Sequence, residues 1–162
     1  MGDQLHQFPF LRDEALASFM RVWDATVRLP LENVTTDPEI ANEAPWHGAV
    51  AWIGGDWTGN VRLLVSPSLA NDIAKALFNG LIDEPPEGYS PEEVDDALRE
   101  LSNMVAGNLK GSLAGVCGLA TPGTFIVRSN AEFRNEFDQI LHQSFRCGAG
   151  FIVLSLGELR TL

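Results

Sequence analysis

"DDALRELSNMVAGN", Asp95–Asn108, is the stretch on which the reading of this chain turns. Wound as a helix at 100° per residue, residues 95–113 gather Leu98, Leu101, Val105, Leu109 and Leu113 on one arc of roughly 120°. That arc is a core-facing surface. Nearly opposite lie Asp96, Glu100, Asn103, Gly107 and Lys110, linked by i,i+3 and i,i+4 steps that set side chains next to one another. Two of these are poor helix residues. Gly costs about 1 kcal/mol relative to Ala in a helix interior, and Asn roughly half of that or more. A face that only meets water favours Lys, Glu, Gln or Ala. Local rules are broken most often at functional or strained sites. The stripe is therefore a candidate site, weighed against an ordinary solvated helix face.

Outward from this stretch, the helix has a clear beginning. Ser90 is placed to cap it, Pro91 occupies the first helical position, and Glu93 completes a capping box. The pattern predicts a helix from Pro91 to the glycines at 111 and 115. Upstream, Leu16, Phe19, Met20, Trp23 and Val27 predict a helix over 10–29, ended by Pro30. The polar, proline-marked "ENVTTDPEIANEAP" reads as a loop. "HGAVAWIGGDWTGNVRLLVS" reads as two strands around a turn at Gly54–Asp56, the second half-buried. Ser66-Pro67 starts another helix, with Leu69, Ile73, Ala76 and Leu77 inward and Asn79-Gly80 as its stop. "TFIVRS", "FDQILHQSFRC" and "GFIVLSLGEL" are three further strands, the last two joined by a turn at Cys147–Gly150. This order predicts one α+β domain over 1–162, a largely antiparallel sheet with packed helices.

Composition narrows the function. With 22 acidic and 11 basic residues the formal net charge is −11. That argues against nucleic acid, whose binding depends on Lys and Arg at phosphates. It also leaves no polybasic segment for an anionic membrane. No apolar run approaches a membrane span, and the N-terminus lacks the features of a secretory signal, so a cytoplasmic location is expected. Cys117 and Cys147 form no CxxC motif and read as reduced thiols. His6, His47 and His142 lie far apart without ligand spacing, so exposed or hydrogen-bonded histidines are expected. There is no Walker A loop, no GxSxG and no HExxH. Trp46, Trp52 and Trp57 surround the predicted hairpin, where core packing is the default.

The segment "DALRELSNMVAGNLKGSLAG" resembles the central motif of the CheC/CheX/FliY family of chemotaxis phosphatases: Asp or Ser, three residues, Glu, two residues, Asn, and a downstream Pro. Here the matching positions are Asp96, Glu100, Asn103 and Pro122. The first helix, "DEALASFMRVWD", has no Glu-x-x-Asn, which is closer to the single-site CheX pattern than to two-site CheC. The resemblance implies a CheX-like fold and removal of the phosphoryl group from the aspartyl phosphate of a CheY-like response regulator. Asn103 would orient the attacking water, and Glu100 would pair with the regulator's active-site Lys. Asp96 and Gly107 would contact the partner, Gly107 by permitting close approach. No cofactor is implied in this chain, and Mg2+ would come with the response-regulator partner. A homodimer through sheet edges is a further expectation, with strands in 137–160 as apolar edge candidates. Two alternatives stand beside this one. One is a non-catalytic module that binds a response regulator or a motility component. The other is an enzyme of another class, with a site the sequence hides.

Overall fold

The computed structural model describes residues 4–81, 83–113, 115–133 and 138–159. Its elements run in the order α1 (Gln4–Thr26), β1 (Glu32–Val34), a short 3-10 turn at Ile40–Asn42, β2 (Trp46–Gly55), β3 (Gly59–Val65), α2 (Pro67–Phe78), α3 (Pro91–Ser112), β4 (Cys117–Leu119), β5 (Gly123–Val127), β6 (Asp138–Cys147) and β7 (Gly150–Glu158). Every strand pair is antiparallel, in the order β1-β6-β7-β3-β2-β4, with β5 sharing the β2 edge. The α+β expectation is met.

The helices behave as their end signals dictate. At α3 the Ser90 hydroxyl accepts from the Glu93 amide at 3.2 Å, and the Glu93 carboxylate accepts from the Ser90 amide at 3.1 Å. α2 stops at Asn79, which turns left-handed with φ 44°. α1 ends earlier than Pro30 requires: the amides of Val27 and Arg28 both donate to the Trp23 carbonyl at 2.9 Å, and Arg28 has φ 63°. A left-handed residue closes the last turn before the proline can.

One large core fills the space between helices and sheet. Phe19, Trp23, Leu63, Ile73, Leu98, Leu101 and Leu154 are fully buried in it. A smaller cluster on the other face joins Ile40, Trp46, Leu64, Val127 and Val153, flanked by Phe125, Phe133 and Phe151. The sheet is thus covered on both sides over its middle. β3 is accordingly buried on both faces, not on one as its alternation predicts: Val61, Leu63 and Val65 face the helices, and Leu64 faces the second cluster. The stretch 32–45 supplies part of that cover and is more ordered than a loop. It contributes β1, which pairs with Ser144–Arg146 of β6, and the Ile40 turn, whose amide donates to Asn130 Oδ1 at 2.9 Å.

The β2–β3 turn falls two residues later than predicted, at Asp56–Thr58. Gly54 and Gly55 stay in β2 because they pair with Gly118 and Cys117 of β4, a strand that has no local signal. The edge expectation applies to part of β6: β7 is paired on both sides, whereas β6 meets β1 only over Ser144–Arg146 and has no outer strand partner over 138–143 among the described residues. The open edge on the far side of the sheet is β4–β5. Phe137, the first residue of one expected strand, lies outside the described residues.

Candidate functional site

α3 packs across β2 and β3 and is flanked by α1 and α2. Leu98, Leu101, Val105 and Leu109 are completely buried, as the periodicity requires. The opposite stripe is graded. Asp96 and Glu100 are exposed, whereas Asn103, Gly107 and Lys110 are half-buried. The half-burial has a non-local source. A Cβ placed on Gly107 would sit 3.7 Å from Leu119 Cδ1, so β4 forms a wall along that side of the stripe.

The polar groups around the stripe divide into committed and uncommitted ones. Asp96 pairs with Arg99 one turn on. Asp95 meets His47 Nδ1 at 3.4 Å. Asn108 Oδ1 accepts from Arg21 Nε and Nη2 at 3.0 and 2.9 Å, tying α3 to α1. Ser102 is buried and donates to the Arg99 carbonyl at 3.0 Å. Among the described residues, the side chains of Glu100 and Asn103, and of Lys110 farther along the stripe, have no hydrogen-bond or ion-pair partner. The Asn103 carboxamide is not one of the buried, unpartnered polar groups, so it reaches solvent. An acceptor–donor amide and a carboxylate therefore stand side by side, unused within the fold, on a helix whose other face is locked in the core. Such a pair is equipped to orient a water and to meet a cation.

The wall beside them is fixed by a residue that sequence reading passed over. The Asp56 amide donates to the Val116 carbonyl at 3.0 Å, and the Val116 amide donates to Asp56 Oδ2 at 2.8 Å. Two glycines make room for this clamp. At Gly55, φ 131°, a Cβ would meet the Val116 carbonyl oxygen at 2.3 Å; at Gly115, φ 91°, one would strike the Asp56 carboxylate. "IGGDW" reads as a plain hairpin turn, and the signal that it does more is the doubled glycine ahead of an acceptor side chain. Pro122 is half-buried, immediately before β5.

His47 and His142 are both hydrogen-bonded, as expected; the side chain of His6 lies outside those described. His142 Nε2 lies 2.9 Å from both Asp37 oxygens, and the Ser144 hydroxyl donates to Asp37 at 2.6 Å. Burial pushes the Asp37 carboxyl up, but the Ser144 and His142 hydrogen bonds and the His142 charge outweigh it, leaving it below the ordinary carboxylate range. Ser144 is bonded to the carboxylate and not to the histidine, so the trio lacks the hydroxyl–base contact of a nucleophile. It fastens the 35–42 segment to β6. Trp46 and Trp57 are buried and Trp52 half-buried, in keeping with core packing. Among the described residues no three His, Cys, Asp or Glu side chains converge on a metal site. No described helix is long and apolar enough to cross a membrane.

An antiparallel sheet carrying one Glu-x-x-Asn helix defines the class that the motif resembles, the CheC-like chemotaxis phosphatases. More narrowly, the chain belongs to the family of the chemotaxis phosphatase CheX, whose family model matches residues 48–145, well over half of the chain and all of α3. Comparison with curated proteins finds no match. Solved structures support the fold. Chemotaxis protein CheX from Vibrio vulnificus is similar with a TM-score of 0.65 and 24% identity, covering 90% of this chain and 95% of that one. Chemotaxis protein CheX from Desulfovibrio desulfuricans has a TM-score of 0.67 at 15% identity, covering 91% and 98%. The CheX–CheY–BeF3–Mg2+ complex from Borrelia burgdorferi has a TM-score of 0.66 at 14% identity, covering 91% and 97%.

Proposed function

We propose that this protein hydrolyses the aspartyl phosphate of a CheY-type response regulator, using the uncommitted pair Glu100 and Asn103. Membership in the CheX family supports the reaction class, and the CheX–CheY complex of a fold neighbour supports the kind of partner. The observation that carries the residue assignment is the contrast on α3. Asp95, Asp96 and Asn108 are engaged within the fold, whereas Glu100 and Asn103 are not. Asn in the middle of a helix costs stability relative to Ala, and such breaks of a local rule are expected at functional sites.

The chemistry asks little of the protein. An acyl phosphate is already activated. Water attacks phosphorus, the bond from phosphorus to the aspartyl oxygen breaks, and the regulator's carboxylate and inorganic phosphate are released. Mg2+ is supplied by the regulator and neutralises phosphoryl charge. What remains is to hold one water in line, a matter of positioning and electrostatics. Asn103 accepts from that water through its amide oxygen and donates through its nitrogen. Glu100, exposed and one turn away, pairs with the regulator's active-site Lys and sets the register. Asp96, held by Arg99, presents its remaining oxygen at the rim, and Gly107 leaves room beside Asn103.

The test is decay of a phosphorylated cognate regulator with catalytic amounts of protein. Wild type is expected to accelerate decay. Asn103→Ala is expected to lower kcat by about 100-fold, the scale of losing a positioned catalytic donor, with little change in regulator affinity. Full activity of Asn103→Ala refutes the assignment. Regulator binding without any acceleration by wild type favours the non-catalytic docking module instead.

A further inference from the structure

We propose that Lys110, two turns beyond Asn103 on α3, supplies the ammonium that meets the phosphoryl oxygens of the regulator's aspartyl phosphate. This inference rests on the phosphatase reading and adds to it the group that answers the charge of the reacting phosphate.

Three observations lead there. First, α3 is poor in positive charge. Its carboxylates are Glu92, Glu93, Asp95, Asp96 and Glu100, and its cations are Arg99 and Lys110 alone. The guanidinium of Arg99 is taken by Asp96. Lys110 has no hydrogen-bond or ion-pair partner among the described residues, so its charge is free to meet an anion. Second, the ammonium is accessible. Lys110 is half-buried, yet its nitrogen is not one of the buried, unpartnered polar atoms, so the head reaches water while part of the stem is covered. Third, Lys110 stands in line with Asn103. Seven residues make two helical turns less about 20°, so both side chains leave the helix along nearly one line. Helical side chains tilt toward the N-terminus, which lays the Lys110 stem over the preceding turn. That turn presents Ala106 and Gly107, and Gly107 has no side chain to block the way. The Cα atoms of Asn103 and Lys110 lie about 10 Å apart along the axis, and a four-carbon stem crosses roughly half of that. The remaining gap suits one phosphoryl group and its attacking water at hydrogen-bond distances.

Electrostatics explains why a cation is needed. The aspartyl phosphate is anionic, and Glu100 brings a further negative charge beside it while drawing the regulator's Lys toward itself. Like charges brought together cost energy, more so as docking excludes water. An ammonium at the phosphoryl oxygens offsets that repulsion. It also stabilises the charge spread over them as water attacks phosphorus and the bond to the aspartyl oxygen breaks. Lys110 donates hydrogen bonds throughout and transfers no proton. A cation in the last turn of a helix also complements the helix dipole, and Lys110 lies in that turn. That role acts on stability and ignores the presence of a phosphoryl group, so experiment separates the two.

The experiment measures binding of the full chain to each CheY-type receiver encoded in the same genome, by fluorescence anisotropy, with and without beryllofluoride and Mg2+. Beryllofluoride stands in for the phosphoryl group. Decay of the phosphorylated receiver gives kcat, and calorimetry gives Tm. Lys110→Gln is expected to raise Kd for the loaded receiver about tenfold, the scale of a lost charged hydrogen bond, and to leave Kd for the unloaded receiver within about twofold. It is expected to lower kcat by about 100-fold, as loss of an oxyanion donor does. Lys110→Arg keeps the charge and should recover most of both. Arg146→Gln serves as control for net charge: Arg146 lies over the Phe151 ring, beside the cluster on the sheet face away from α3. It should leave both Kd values unchanged. Equal changes in the two Kd values with Lys110→Gln would make Lys110 a contact of the receiver surface and overturn the proposal. A lower Tm with unchanged Kd and kcat would make it a dipole partner and overturn it equally. In either case, acceleration by wild type that is lost in Asn103→Ala leaves the phosphatase reading standing. If wild type binds no loaded receiver and accelerates no decay, both fall.

Discussion

Replacing Gly107 by Ala should push stability and regulator binding in opposite directions. On the stability side, Gly to Ala inside a helix gains about 1 kcal/mol, because Gly surrenders more backbone freedom on folding. Nothing in the fold opposes the change. The nearest atom to the new methyl is Leu119 Cδ1 at 3.7 Å, an ordinary contact. A half-buried methyl touching Leu119 adds a few tenths of a kcal/mol at roughly 25 cal/mol per Å2. For a chain of this size 1 kcal/mol moves Tm by about 2–4 °C, so differential scanning calorimetry should place Gly107→Ala that far above wild type. On the binding side, the methyl stands in the groove beside Asn103. Overfilling a close-packed contact costs about 1–3 kcal/mol, hence at least a fivefold rise in regulator Kd. A Tm equal to or below wild type would refute the packing argument. A raised Tm with unaltered Kd would refute Gly107 as the point of close approach and leave it a helix defect without function.

Two further substitutions test the frame that presents the site. Ser90→Ala removes the acceptor of the capping box at the start of α3 and should cost about 1 kcal/mol, read from urea denaturation as a lower midpoint with an unchanged slope. An unchanged midpoint would mean that α3 is held by its core face alone. Asp37→Asn should change the acid limb of the stability profile. The Asp37 carboxyl lies below its ordinary range, so its stabilising contribution is complete above the unfolded value near 4 and is lost as pH falls through the folded value. The variant should be less stable than wild type at neutral pH and converge with it once pH has fallen below the lowered folded value. Parallel Tm profiles for the two proteins from pH 7 to 3 would deny the Asp37 carboxylate that role.

What could be read from the sequence was what is local. The capping box of α3, the left-handed stop of α2 at Asn79 and the buried arc of α3 each depend on residues within a turn of one another, and each is found as the spacing requires. What escaped was set by distant partners. β4 is three residues with two small side chains and acquires strand geometry only by pairing with β2. That pairing draws Gly54 and Gly55 into β2 and displaces the hairpin turn. The 32–45 stretch reads as a loop from its prolines and acidic residues, yet Asn130, Ser144 and His142, roughly a hundred positions away, anchor it to the sheet. The site divides in the same way. Glu100 and Asn103 follow from helical spacing and motif, whereas the Asp56 clamp and the Leu119 wall exist only once β2 and β4 meet.

This division bears on how the two site residues would share the work. Glu100 is exposed on a flexible stem, suited to finding a cation as the regulator approaches and to setting orientation more than affinity. Asn103 has a short side chain, is half-buried, and sits between Glu100 and the Gly107 position that Leu119 overlooks. A group that must hold a water in line gains from such confinement. A misplacement of about 1 Å costs on the order of 100-fold in rate, and a site on a core-locked helix is held more closely than one on a loop. On the proposed mechanism, the buried Leu98–Leu109 face and the two-way Asp56 clamp would serve to hold Asn103 in place, though neither touches the reacting atoms. Loosening the clamp should broaden the orientations open to Asn103 before it unfolds anything, and the loss would be seen in kcat ahead of Tm.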